Sequence, residues 1–261
     1  MMDTRFELID RCTTFNELLH DMELLLNREH LFYGHGTGNA MDESMAILMY
    51  LSESNDVLDE EQLKTSISDQ VQEKAKEVLY QRVTESKPLP YITNVAYFCG
   101  KKFYVDERVL IPRSPIAELI NNRFEPWLNP NSINRVLEIG TGSGCIALSI
   151  AEAFSDIEVA ATDISPDAID VARMNTKAHG LEQQVEIIES DLFENVSGVF
   201  DLIITNPPYV PDKIMLDLPK EYLHEPHMAL AAGEKGLDFI SRILHDAPPF
   251  LTDNGIVIIE A

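Results

Sequence analysis

The chain has 261 residues, 45% hydrophobic and 25% charged, so it can bury a core, and disorder over most of its length is excluded. Lys and Arg number 20 against 44 Asp and Glu, a net charge of −24. A field of that sign repels nucleic-acid backbones and anionic membranes and attracts a basic partner. No apolar run reaches the roughly 18 residues of a membrane span, and no signal-peptide pattern opens the sequence. Cys12, Cys99 and Cys145 are too scattered for a disulfide frame or a zinc site. The expectation is a cytoplasmic protein with no metal, no membrane contact and no direct nucleic-acid binding.

The first 85 residues read as a helical domain. Thr14-x-x-Glu17 is a capping box, and Phe15, Leu18, Leu19, Met22 and Leu26 follow at helical spacing. A second helix is expected over Asp42–Leu51 and a third over Ser68–Val83, with Val71, Ala75, Val78, Leu79 and Arg82 in register. The glycines of Tyr33-Gly-His-Gly-Thr-Gly-Asn39 mark a loop. Lys87-Pro-Leu-Pro90 is expected to stop the helical section. Residues 86–131 then read as a hairpin and linker: strands Tyr91–Phe98 and Lys102–Val105 about a turn near Gly100-Lys101, then a short helix, Ile116–Phe124.

Residues 132–261 alternate strand and helix, which predicts an α/β domain with a mostly parallel sheet and helices on both faces. Strands are expected at Arg135–Ile139, Glu158–Thr162, Val185–Ile188, Phe200–Thr205 and Ile256–Ile259. Helices are expected at Cys145–Phe154, after the Ser165 cap with Pro166 at its first position, and at Leu237–Ala247. Ligands of such sheets sit at the carboxyl ends of the strands.

Four of those ends carry chemistry. Glu138-Ile-Gly-Thr-Gly-Ser-Gly144 joins the first strand to a helix, and Gly140, Gly142 and Gly144 let backbone approach a ligand. A dinucleotide fingerprint needs glycine at 145, where the chain has Cys145, so the spacing does not suit a standard NAD site. Asp163 closes the second strand, where a carboxylate accepts the two hydroxyls of an adenosine ribose. Asp191 follows the third, placed either to reach an adenine amino group or to stand as an exposed loop aspartate. Asn206-Pro-Pro-Tyr209 ends the fourth: two prolines fix the backbone, so the Asn206 amide and nearby carbonyls are held where a planar NH2 group would be oriented for attack. Tyr209 offers that group a flat face. His224, Glu225 and His227 have no third ligand at good spacing for a metal.

Together these motifs resemble the class I (Rossmann-like) S-adenosylmethionine-dependent methyltransferases that act on planar amino groups. Val109-Leu-Ile-Pro-Arg113 is similar to the HemK/PrmB-type protein glutamine methyltransferases. The continuation Pro112-Arg-Ser-Pro-Ile-Ala-Glu118, with Tyr33–Asn39 and Glu225-Pro-His-Met-Ala-Leu-Ala-Ala-Gly233, resembles the branch acting on ribosomal large-subunit protein uL3 more than the release-factor branch. The resemblance implies that Glu138, Gly140, Thr141, Gly142, Gly144, Asp163, Asp191, Leu192 and Asn206 line S-adenosylmethionine. It also implies that Asn206, Pro207, Pro208 and Tyr209 bind the glutamine, with the Asn206 side chain and the Pro207 carbonyl taking its NH2. The acceptor peptide would lie between the helical and catalytic domains, and the basic ribosomal protein would be drawn in by the charge of −24. A nucleic-acid amino-methyltransferase is the main rival and needs a basic face that the sequence lacks. A non-catalytic ribosome-assembly partner is the third reading. Relatives are expected to continue into two further strands beyond Ile256–Ile259, so this sheet edge is expected to be bare and to invite self-association.

Overall fold

The computed structural model describes residues 4–261, and these divide into two units. One runs to Asn94 and takes in Pro219–His224; the other comprises Val95–Leu218 and Glu225–Ala261.

In the helical unit, α1 (Phe15–Arg28) starts at Thr14, whose side chain accepts from the Glu17 backbone in a complete capping box. Its apolar stripe buries Leu18, Leu19, Met22, Leu25 and Leu26. Helix α2 (Ala40–Leu51) starts two residues before the expected Asp42, because the Asn39 side chain accepts the Asp42 N–H at 2.9 Å. A short helix α3 (Glu60–Leu63) was not foreseen; Asp59 and Gln62 form its capping box. Helix α4 (Asp69–Thr84) is capped by Ser68 and buries Ala75, Val78, Leu79 and Val83. It also buries Arg82, 1% exposed, which donates to Glu43 at 2.5 Å, to Glu221 at 3.0 Å and to the Phe32 carbonyl at 2.9 Å.

Two expectations at the end of this unit need correction. Lys87–Pro90 does not stop the helical section but opens another helix, α5 (Leu89–Thr93), with a proline near its start where no N–H is required. Asn94 then turns left-handed at φ 56°, so the hairpin begins at Val95, not Tyr91. The expected linker 86–131 is likewise no separate piece. Strands β1 (Val95–Phe98) and β2 (Lys101–Tyr104) and helix α6 (Ile116–Asn121) bury Phe98, Phe103, Ile116 and Ile120 in one core with the sheet of the second unit.

That sheet holds β3 (Arg135–Ile139), β4 (Glu158–Asp163), β5 (Val185–Glu189), β6 (Phe200–Thr205) and β7 (Leu251–Ile259), all parallel, in the order β5-β4-β3-β6-β7. Strand β7 begins five residues before the expected start, because Leu251 already pairs with Phe200 ahead of a register shift that sets Ile256 against Leu202. Alternating side chains serve opposite faces. Val136, Val159, Ala161, Leu202 and Ile204 pack with helix α7 (Cys145–Ala153), whereas Leu137, Ala160 and Ile203 pack with Ile243 of helix α10 (Asp238–Asp246). Helix α8 (Pro166–His179) lies between β4 and β5 in sequence, with Ser165 as its cap and Gly180 as its left-handed stop. Helix α9 (Asp212–Met215) is a single turn after β6. The chain goes from β3 outward to β4 and β5 and then to β6 on the other side of β3. That reversal leaves a crevice at the carboxyl ends of the strands.

Candidate active site

A cleft of about 690 Å³ opens at those strand ends. Gly140, Gly142, Asp163, Asp191, Leu192, Asn206, Pro207 and Pro208 all line it.

Glu138 holds the glycine loop from behind. Its buried carboxyl group accepts from the Thr141 hydroxyl at 2.5 Å and from the Ala147 N–H at 3.0 Å, joining β3 to the loop and to the first turn of α7. Burial pushes its pKa up to about 8, against the pull of those two hydrogen bonds. Gly140, Gly142 and Gly144 all have positive φ. A methyl group added at Gly140 or Gly142 would meet no protein atom within 4 Å, so backbone there can touch a ligand. One added at Gly144 would lie 3.3 Å from Leu148 and 3.5 Å from Ala172, so this glycine serves the packing of α7 on α8. Glu138, Thr141 and Gly144, expected at the cofactor, therefore sit outside the lining and shape the loop instead.

Asp163 accepts the Gly142 N–H at 2.9 Å and the Ser165 N–H at 3.0 Å, and burial raises its pKa. Each oxygen keeps lone pairs for further donors. Asp191 meets a group that the sequence did not reveal: Arg242 of α10, itself in the lining, donates to both carboxylate oxygens at 3.1 and 3.2 Å. The 51 residues between them explain why no local spacing marked this pair. Leu192 stands at φ 51°, a conformation that a branched side chain adopts only where its surroundings enforce it.

Asn206 follows Thr205, whose hydroxyl donates to the Ile139 carbonyl at 2.7 Å and ties β6 to β3. Pro207 and Pro208 line the cleft, whereas Tyr209 lies beyond the lining, 40% exposed, its side chain beside Glu260. Val210 then pairs with Ala231 in a parallel bridge, donating to the Leu230 carbonyl at 2.9 Å. Val109, Leu110 and Pro226–Ala229 complete the apolar wall. Their flanks are joined by Arg113, which donates to both oxygens of Glu225 at 2.5 and 2.6 Å across 112 residues. Both residues belong to motifs conspicuous in the sequence, but their pairing was not legible there. Among the described residues no group of three or more His, Cys, Asp or Glu side chains is placed to hold a metal.

A parallel sheet with a glycine loop after β3, a carboxylate ending β4 and Asn-Pro-Pro-Tyr after β6 defines a class I methyltransferase. Residues 124–235 match the family model described as "Methyltransferase small domain". S-adenosylmethionine is the cofactor of this class, and the residues fit it: two unobstructed left-handed glycines and the Asp163 carboxylate face one cleft. Over most of its length the chain is similar to the protein named ribosomal protein uL3 glutamine methyltransferase from Francisella tularensis subsp. tularensis. The two are 40% identical over 237 residues, covering 90% of this chain and 76% of that one. A protein of the same name from Neisseria gonorrhoeae is 38% identical over 250 residues, covering 95% and 83%. The chain belongs to the ribosomal protein uL3 glutamine methyltransferase family.

Proposed function

We propose that this protein methylates a glutamine side-chain amide nitrogen of ribosomal protein uL3. The observation that carries this reading is the match, over nine-tenths of the chain, to enzymes named for that reaction, with Asn206-Pro-Pro intact in the cleft lining. S-adenosylmethionine supplies a methyl group made electrophilic by its sulfonium. The protein's own part is to place and polarise the acceptor. An amide nitrogen is a poor nucleophile because its lone pair is delocalised into the carbonyl. The Asn206 side-chain oxygen and the Pro207 carbonyl accept its two hydrogens, fix its plane and favour lone-pair character on nitrogen as the new bond forms. Tyr209, next to Pro208 and outside the lining, borders the acceptor end of the cleft. Asp163 receives the ribose hydroxyls, and Asp191, held by Arg242, faces the adenine with Leu192 beside it. The proton leaves to water after transfer, so no strong base is needed. The helical unit serves substrate recognition, and the net charge of −24 draws in a basic ribosomal protein in the cytoplasm.

The test is to incubate the purified chain with S-adenosylmethionine and uL3, in parallel with uL3 in which the modified glutamine is replaced, and to map methylation by peptide mass spectrometry. One added methyl on a single glutamine is expected, absent in the replaced substrate. Methyl transfer to RNA with unmodified uL3 would overturn the reading.

A further inference from the structure

The segment Val109–Ser114 has no regular secondary structure, yet Val109 and Leu110 form part of the cleft wall. Its place is set by two consecutive side chains and two glutamates. Arg113 grips Glu225 with both arms of its guanidinium, and Glu225 also accepts the Ile111 N–H at 3.2 Å. The Glu225 side chain is wholly buried. Ser114 donates to Glu260, the same carboxylate that lies beside the Tyr209 side chain. The Glu260 N–H donates in turn to the Thr205 carbonyl at 3.1 Å, one residue before Asn206.

Glu260 thus reaches both ends of the Asn206–Tyr209 motif, and Glu225 reaches its far end through a neighbouring segment. Glu260 holds its far end at Tyr209 and abuts its start at Thr205. Glu225 opens the segment Pro226–Ala231, which lines the cleft and pairs with Val210 immediately after the motif. Neither glutamate touches the glycine loop, Asp163 or Asp191 in any of these bonds. The glycine loop and Asp163 are held by a separate set: Glu138, Thr141, Thr162 and Ser165.

We propose that Glu225 and Glu260 are positioning residues for the methyl acceptor: anchored to Arg113 and Ser114, they fix the Asn206–Tyr209 segment from both sides and leave the cofactor end of the cleft to other groups. The inference rests on the reading that Asn206 and Pro207 hold the acceptor amide. A displacement of about 1 Å in a group that aligns reactants is enough to lower a rate roughly 100-fold. Losing either tie therefore acts on turnover far more than on cofactor affinity.

The experiment compares E260A, E260Q, S114A and the charge-neutral double variant R113Q/E225Q with the unaltered protein. The double variant avoids leaving a buried charge without its partner. For each, kcat and KM for the acceptor are measured beside the Kd for S-adenosylhomocysteine and the thermal midpoint. E260A and R113Q/E225Q are expected to lose about 10-fold or more in kcat/KM for the acceptor while cofactor Kd stays within about 3-fold. E260Q, which keeps the size of the side chain and can still accept from Ser114, is expected to recover most of the loss, and S114A to fall between. Acceptor kcat/KM unchanged in both E260A and R113Q/E225Q would overturn the proposal. So would losses matched by an equal weakening of cofactor binding, which would mean that the whole cleft had slackened. N206A run alongside separates the two readings: full activity in N206A with a loss in E260A would sink the acceptor role of Asn206 and leave the positioning role standing.

Discussion

Glu138 and Asn206 sit at opposite ends of what a single side chain can do in this site. Glu138 never reaches the ligand space, but its carboxyl, raised to about 8, makes the loop it supports sensitive to pH. The sign follows from linkage: the folded state keeps its proton up to about pH 8, whereas the unfolded chain releases it near the ordinary 4.5. The stability this group contributes is fully present below the unfolded value and is lost as pH rises toward the folded one. Glu138→Gln, which mimics the protonated form and can still accept from Thr141 and Ala147, is expected to flatten the fall in thermal midpoint between about pH 5 and pH 8. Calorimetry of the two proteins across that range checks it; parallel curves would mean that Glu138 is ionised in the folded state. Asn206, in the function proposed above, acts on chemistry instead. Replacing it with Ala removes one preorganised acceptor, a change worth about 100-fold or more in rate at comparable sites. Turnover is expected to fall on that scale while the Kd for S-adenosylhomocysteine moves much less, and near-normal turnover would remove the role assigned here.

At the scale of elements, the glycine loop divides its labour in a way that two substitutions can separate. Gly142→Ala adds a methyl that meets no protein atom, so the fold bears only the left-handed penalty of roughly 1–2 kcal/mol. The added methyl takes up space where a ligand would approach, and cofactor affinity is expected to drop at least about 10-fold, about 1.4 kcal/mol. Gly144→Ala, by contrast, presses on Leu148 and Ala172, and its loss is expected in thermal midpoint rather than in affinity per folded molecule. Thermal unfolding beside isothermal titration reads both; equal losses of affinity would mean that the loop acts as one unit. The sequence made the loop, the strands and the Ser165 and Thr14 caps legible because each is fixed by neighbours within a few positions: short, largely apolar runs for the buried strands β3 and β6, a capping hydroxyl three residues from its N–H, a glycine where φ turns positive. It misled at Lys87–Pro90, because proline both ends helices and begins them, and only the burial of Leu89, Pro90 and Tyr91 decides for a beginning. The unreadable part of the site is the part made across long separations: Arg242 on Asp191, Arg113 on Glu225 and Ser114 on Glu260, the last 146 residues apart. No periodicity links such residues; only the sheet order brings them together.

For the molecule as a whole, charge governs encounter more than fold. A net −24 spread over both halves of the sequence is a long-range field, and its reach shortens from about 30 Å at 0.01 M salt to about 10 Å at 0.1 M. If the substrate is a basic ribosomal protein, the field raises its local concentration and its rate of productive collision, effects that span roughly 10- to 1,000-fold among steered pairs. Binding in the cofactor cleft depends instead on contacts of hydrogen-bond length, among them those that hold Asp163 and Gly142 in place. The two dependences on salt should therefore separate. Between about 0.02 M and 0.3 M salt, kcat/KM for uL3 is expected to fall about 10-fold or more, while the Kd for S-adenosylhomocysteine changes by less than about 3-fold. Charge-reversing substitutions on exposed glutamates outside the cleft lining, such as Glu60 and Glu61 at the start of α3, are expected to lower kcat/KM at low salt and to leave kcat alone. A kcat/KM that is flat across the salt series would show that the acidic surface keeps the protein solvated and plays no part in bringing the substrate to it.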